Sequence, residues 1–121
     1  MNILVAGGAG YIGSHACIAL IEAGYSVVVA DNLTNSKKES IENVKNLTNK
    51  DIPFYEIDIT DKHAVENIFI NHRIHGVMHF AGLKAVGESV LKPSAYYENN
   101  LITTIVLANA CLKFGINQFV F

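Results

Sequence analysis

Short apolar runs alternate with segments of helical spacing along the whole chain. Asn2 to Ala6 is an apolar run that stops at glycine, as a buried parallel strand would. From Ile12 to Ala23 the spacing becomes helical, with Ile12, Ala16, Ala19, Leu20 and Ala23 expected along one inward stripe and Gly24 as the stop. Ser26 to Ala30 reads as a second strand, ending at Asp31. Residues 37–48 place apolar anchors at Ile41, Val44 and Leu47, which predicts a surface helix. Phe54 to Ile57 is a third strand ending at Asp58; Thr60 and Asp61 then cap a helix to about Asn71, with Val65, Ile68 and Phe69 inward. Gly76 to Phe80 is a fourth strand closed by Ala81 and Gly82, and a loop containing Lys84, Gly87 and Pro93 follows. Tyr96 to Phe114 is a long helix stopped at Gly115, and Gln118 to Phe121 opens a fifth strand. Alternating strands and helices predict an α/β fold, a doubly wound parallel sheet with helices on both faces.

Composition narrows the functional classes. The 121 residues amount to one domain at most, and the 50% hydrophobic share supports a real core. A net charge of −2 offers no basic excess for a phosphate backbone, so no nucleic-acid partner is expected. No apolar run reaches the roughly 18–20 residues of a membrane span, and Met1-Asn2 lacks the basic region of a signal peptide. Cys17 and Cys111 lie far apart inside helical patterns, which predicts buried, reduced thiols and is consistent with a cytoplasmic protein. No metal-ligand spacing is present. His15, His63, His72, His75 and His79 show no coupled Ser or Cys, so surface or helix-packing roles are expected for them.

The chemistry concentrates in Gly7-Gly8-Ala9-Gly10-Tyr11-Ile12-Gly13, between the first strand and the first helix. Gly7 suits a tight turn, Gly10 a close approach of backbone to a diphosphate, and Gly13 close helix–strand packing. The helix then offers unpaired N–H groups and its positive end to phosphates. Asp31 follows Gly13 by eighteen positions, at the end of the second strand, where a carboxylate accepts both hydroxyls of an adenosine ribose. A strand before, a helix after and an acid at the next strand end together predict a Rossmann-type NAD site. In such a sheet the ligand lies beyond the carboxyl ends of the strands. Asp58-Ile59 and Phe80-Ala81-Gly82 therefore point at the same crevice. Asp58 suits either an adenine amino group or a structural role at its helix start.

These residues resemble the extended short-chain dehydrogenase/reductase family, and within it the nucleotide-sugar 4-epimerases. The matching stretches are 7–15, 31–36, 58–59, 79–90 (His-Phe-Ala-Gly-Leu-Lys-Ala-Val-Gly-Glu-Ser-Val) and 93–100, and 79–90 is the most specific of them. The resemblance implies that Tyr11 and Ile12 contact the diphosphate, and that Asp31, Asn32, Leu33, Thr34, Asn35 and Ser36 surround the adenosine. It further implies that Phe80, Ala81, Gly82, Leu83 and Lys84 line the nicotinamide side and that Asn99 touches the cofactor. Without the resemblance, Lys84 would read as a solvated loop lysine and Asn99 as a polar helix start. The implied activity is inversion of a UDP-hexose at carbon 4. A Tyr takes the hydroxyl proton, NAD takes and returns the hydride, and a Lys four residues after the Tyr favours its phenolate.

That Tyr–Lys pair is absent from these residues. Tyr11, Tyr25, Tyr55, Tyr96 and Tyr97 are followed four positions on by His15, Val29, Ile59, Asn100 and Leu101. The expectation is therefore an NAD-binding domain over residues 1–121, truncated at the fifth strand, with no catalytic residue of its own. The helix after Tyr96 is apolar nearly all round, and in the family this helix helps to form a dimer interface; self-association is expected. A free-standing NAD-binding regulatory module and an extended-family dehydratase or decarboxylase are the alternatives.

Asp31 also sets a cofactor preference. A second negative charge about 4 Å from the carboxylate costs roughly 4 kcal/mol at an effective dielectric near 20. Screening by solvent to about 1.4 kcal/mol still leaves NAD roughly tenfold tighter than NADP. Equal dissociation constants in parallel titrations would refute the assignment of Asp31.

Overall fold

The computed structural model describes residues 1–34, 36–82 and 93–121. Among the described residues nine elements follow one another: β1 (Asn2–Ala6), α1 (Tyr11–Glu22), β2 (Ser26–Asp31), α2 (Glu39–Thr48), β3 (Phe54–Glu56), α3 (Lys62–Asn71), β4 (Ile74–His79), α4 (Pro93–Lys113) and β5 (Phe119–Val120). The strands form one sheet in the order β3-β2-β1-β4-β5, and every pairing is parallel. The chain winds outward from β1 to β3, then returns across β1 to β4. The strand order reverses there, and a crevice opens beyond the carboxyl ends of the strands at such a point. This is the expected doubly wound architecture.

The strands are apolar on both faces because both faces are covered. Leu4, Ala6, Val28, Ala30 and Val77 pack with Val65, Ile68 and Phe69 of α3 and Leu107, Ala110 and Cys111 of α4. Ile3, Val5, Val27 and Val29 face the other way, onto Cys17 of α1 and Ile41 and Val44 of α2. Both cysteines are buried and free. Burial pushes the Cys17 thiol up to about 12 and raises that of Cys111, so neither is a ready nucleophile.

Several boundaries and one helix face differ from the sequence expectation. The inward line of α1 is Gly13 and Cys17, backed by half-buried Leu20 and Ile21. Ile12 is 59% exposed, and Ala19 and Ala23 face solvent. The helix is rotated by Gly13, which has to lie against the glycine loop. On α2 the expected anchor Leu47 is 75% exposed. At about 100° per residue, a spacing of three drifts off the buried face by its third member. Thr48 takes the next inward place, half-buried, with its hydroxyl donating to the Val44 carbonyl at 2.7 Å.

β4 begins at Ile74, two residues early, with a register irregularity opposite Asn2 and Ile3. The side chain of His75 completes the ladder there, its Nδ1 accepting from the Asn2 N–H at 3.0 Å. Asp61 caps α3 as expected, accepting from the N–H groups of His63 and Ala64. α4 starts at Pro93, three residues before the expected Tyr96, where a missing N–H costs nothing. One of its faces is buried on the sheet, whereas Leu101, Ile105 and Leu112 are exposed on the other, Leu112 by 80%. Among the described residues, no helix is long and apolar enough to cross a membrane.

The burial pattern of α2 gives a direct test. Ile41→Ala is expected to cost about 2–5 kcal/mol in urea unfolding. Leu47→Ala should stay within about 0.5 kcal/mol, and a reversed order would overturn the orientation of the helix.

Candidate functional site

At Gly7 and Gly13 the glycine loop is built by backbone contacts that leave no space for side chains. Gly7 has φ +80°, and a Cβ on it would lie 2.6 Å from the Ala81 nitrogen and 2.7 Å from the Phe80 carbonyl carbon. The loop is thus pressed onto the end of β4. A Cβ on Gly13 would collide with the Gly7 carbonyl oxygen and lie 2.8 Å from the Gly8 Cα. The Gly7 N–H donates to the Ala30 carbonyl at 2.8 Å, which fastens the loop to β2 as well. Gly10 is the N-cap of α1 and supplies no side-chain cap, so the first-turn N–H groups are left for a ligand. They carry the positive end of the helix dipole, which suits an anion.

Asp31 ends β2 and is only 8% exposed. Its Oδ2 accepts from the Ala9 N–H at 3.1 Å, across to the glycine loop. Its Oδ1 accepts from the Leu33 N–H at 2.8 Å and from the Ser36 hydroxyl at 3.1 Å. A carboxylate has about four lone-pair positions, so three protein donors leave one open. A rotation of Ser36 would free a second. The carboxylate is therefore fixed in place before any ligand arrives, with capacity for a pair of hydroxyls.

These groups line one cleft of about 520 Å³. Its floor is Gly7, Gly10 and Gly13 with Tyr11 and Ile12 at the helix start. Asp31, Asn32, Thr34, Ser36, Asp58 and Ile59 form the wall on the β2–β3 side. Phe80, Ala81, Gly82 and Asn99 form the wall on the β4–α4 side. Leu33 does not line the cleft: with φ +59° it turns its side chain onto the core beneath α2. Asn35, Leu83 and Lys84 lie outside the described residues, as does most of the segment 79–90. Asp58 lines the cleft and also performs the structural task, its Oδ1 accepting from the N–H and hydroxyl of Thr60 at 2.9 and 2.7 Å. Tyr11 stands at the mouth, its ring edge-on to that of His15 at 4.8 Å.

The cleft has one further lining residue, Thr103, which was not expected from the sequence. The signal was its position four residues after Asn99, on the same helix face. Of the remaining histidines His63 is exposed, and two serve packing. His72 meets the Tyr55 hydroxyl at 2.7 Å and His79 meets the Thr104 hydroxyl at 3.1 Å. Among the described residues, no group of His, Cys, Asp and Glu is placed to hold a metal ion.

The donor set fits a dinucleotide: uncapped N–H groups over a cradle that a Cβ would fill, and a buried acceptor at the neighbouring strand end. Comparison with known proteins agrees. The model of the NAD dependent epimerase/dehydratase family matches residues 3–121. The chain is 54% identical over 121 residues to the UDP-glucose 4-epimerase of Bacillus subtilis (strain 168), covering 100% of this chain and 36% of that protein. It is 50% identical over 120 residues to a UDP-glucose 4-epimerase of Schizosaccharomyces pombe, covering 99% and 34%. The crystal structure of UDP-glucose 4-epimerase from Bifidobacterium longum in complex with NAD+ and UDP superposes with a TM-score of 0.96 at 43% identity, over 98% of this chain and 36% of that one. The chain thus spans about a third of the length of the relatives that it matches.

Proposed function

The chain belongs to the NAD dependent epimerase/dehydratase family, and from that premise we propose that it is the NAD-holding portion of a UDP-glucose 4-epimerase. The glycine cradle pressed against β4, with the Asp31 carboxylate fixed at its side, carries the reading. In this proposal the first-turn N–H groups of α1 hold the diphosphate, with Gly10, Tyr11 and Ile12 around it. Asp31, Asn32, Thr34 and Ser36 receive the adenosine, and Asp58 and Ile59 close over its base. Phe80, Ala81, Gly82 and Asn99 enclose the far side, with Leu83 and Lys84 following in sequence.

Bound NAD supplies a reversible hydride acceptor for carbon 4 of a UDP-hexose. The residues of this chain orient that acceptor. The five tyrosines lack a lysine four positions on, so these 121 residues alone are expected to turn over no UDP-hexose. The parent enzyme, on this reading, serves cytoplasmic galactose metabolism. The same proposal covers the exposed stripe of Leu101, Ile105 and Leu112: it pairs with the stripe of a second copy.

Two measurements test these statements. Titration with NAD to about 100 times the dissociation constant should stabilise the chain by roughly 2.7 kcal/mol in thermal unfolding. No shift at millimolar NAD would overturn the assignment of the cleft. Light scattering should show self-association that rises with concentration, whereas a monodisperse monomer at high concentration would refute the pairing of the stripe.

A further inference from the structure

We propose that Thr103 is a cofactor-contacting residue of this cleft, accepting a hydrogen bond from a neutral donor of the dinucleotide, either a ribose hydroxyl or the carboxamide N–H. The inference rests on the reading of the cleft as an NAD site. Thr103 lines the cleft with Asn99, Ala81 and Gly82 and is only 3% exposed, which sets it deep in the β4–α4 wall. α4 connects two parallel strands and therefore runs against them, with its N-terminus at the cleft edge. Side chains on a helix tilt toward its N-terminus, and Thr103 consequently leans toward the ligand space.

Hydrogen-bond accounting gives the polarity of the contact. The Thr103 hydroxyl donates to the Asn100 carbonyl at 3.1 Å. A hydroxyl has one proton and two lone pairs. With the proton committed to the helix, only lone pairs are left for the cleft. A neutral N–H or O–H is the chemistry that fits this bonding pattern, since a phosphate oxygen would meet lone pair with lone pair. Thr103 thus complements the N-terminus of α1, whose free backbone groups are donors only.

The test compares Thr103→Val, which keeps the shape and removes the oxygen, with Thr103→Ser, which keeps the oxygen. NAD affinity should fall by about three- to tenfold in the valine variant, while the serine variant should stay near the unsubstituted chain. Should Thr103→Val fail to fold, Thr103→Ala measured against Thr103→Ser should show the same gap. Titration with ADP-ribose identifies the donor. A loss that persists assigns a ribose hydroxyl; a loss that disappears assigns the carboxamide. Equal NAD affinity in the valine and unsubstituted chains overturns the role of Thr103 alone. Absence of NAD binding by the unsubstituted chain overturns the cleft reading and this inference with it.

Discussion

The contact of α1 with the glycine loop is the constraint on which the rest of the site depends. Gly13 meets Gly7 and Gly8 backbone to backbone, at a separation that no side chain can enter. That contact sets both the height of the helix above the sheet and its rotation. Height decides how near the first-turn N–H groups come to the cleft. Rotation decides that Cys17 faces the core and Ile12 faces the ligand space. A larger residue at position 13 would displace the donors and repack the helix together, so the core and the cleft cannot be altered independently here.

Asp31 joins the same arrangement from the side. Its hydrogen bond to the Ala9 N–H spans from β2 to the loop after β1, and Gly7 bonds to the Ala30 carbonyl in the same gap. The carboxylate is thus a structural tie as well as a candidate receptor for hydroxyls. A preorganised acceptor loses little freedom on binding, which favours affinity. The opposite wall is held comparably, with the Phe80 N–H donating to the Ala6 carbonyl at 2.7 Å. Three consecutive strands of the sheet, β2, β1 and β4, therefore hold the cleft rigid from below.

Most of the fold was legible in the sequence because each element carries its own period. Apolar runs closed by Gly7, Asp31 and Asp58 announced the strands, and Gly24 and Gly115 announced the helix ends, both with positive φ. The candidate site was legible for the same reason, since the backbone contacts at positions 7 and 13 admit only glycine and Asp31 closes the next strand. The failures have physical causes too. The stripe on α1 was misread because alanines are apolar enough to suggest a core face, while a glycine was the true contact. Leu47 was misread because three apolar residues at a spacing of three do not share one face. Thr103 was passed over because a threonine inside a helix signals nothing until the cleft above it is seen. The early start of β4 depends on a side chain, His75, completing a backbone ladder, and no periodicity encodes that.

The strand order has a consequence in time. β1 lies in the middle of the sheet, between β2 and β4, and its contact with β4 joins residues as distant as Asn2 and His75, 73 positions apart. A ribosome adding about 5–20 residues per second makes the later partner roughly 4–15 s after the first. Once β2 is made and until β4 follows, β1 has one neighbour and one edge of unpaired backbone N–H and C=O groups. Non-local pairing of this kind is slow to form and exposed to wrong partners meanwhile. The central strand, the most protected segment of the finished sheet, is thus the one left waiting longest while the chain is made.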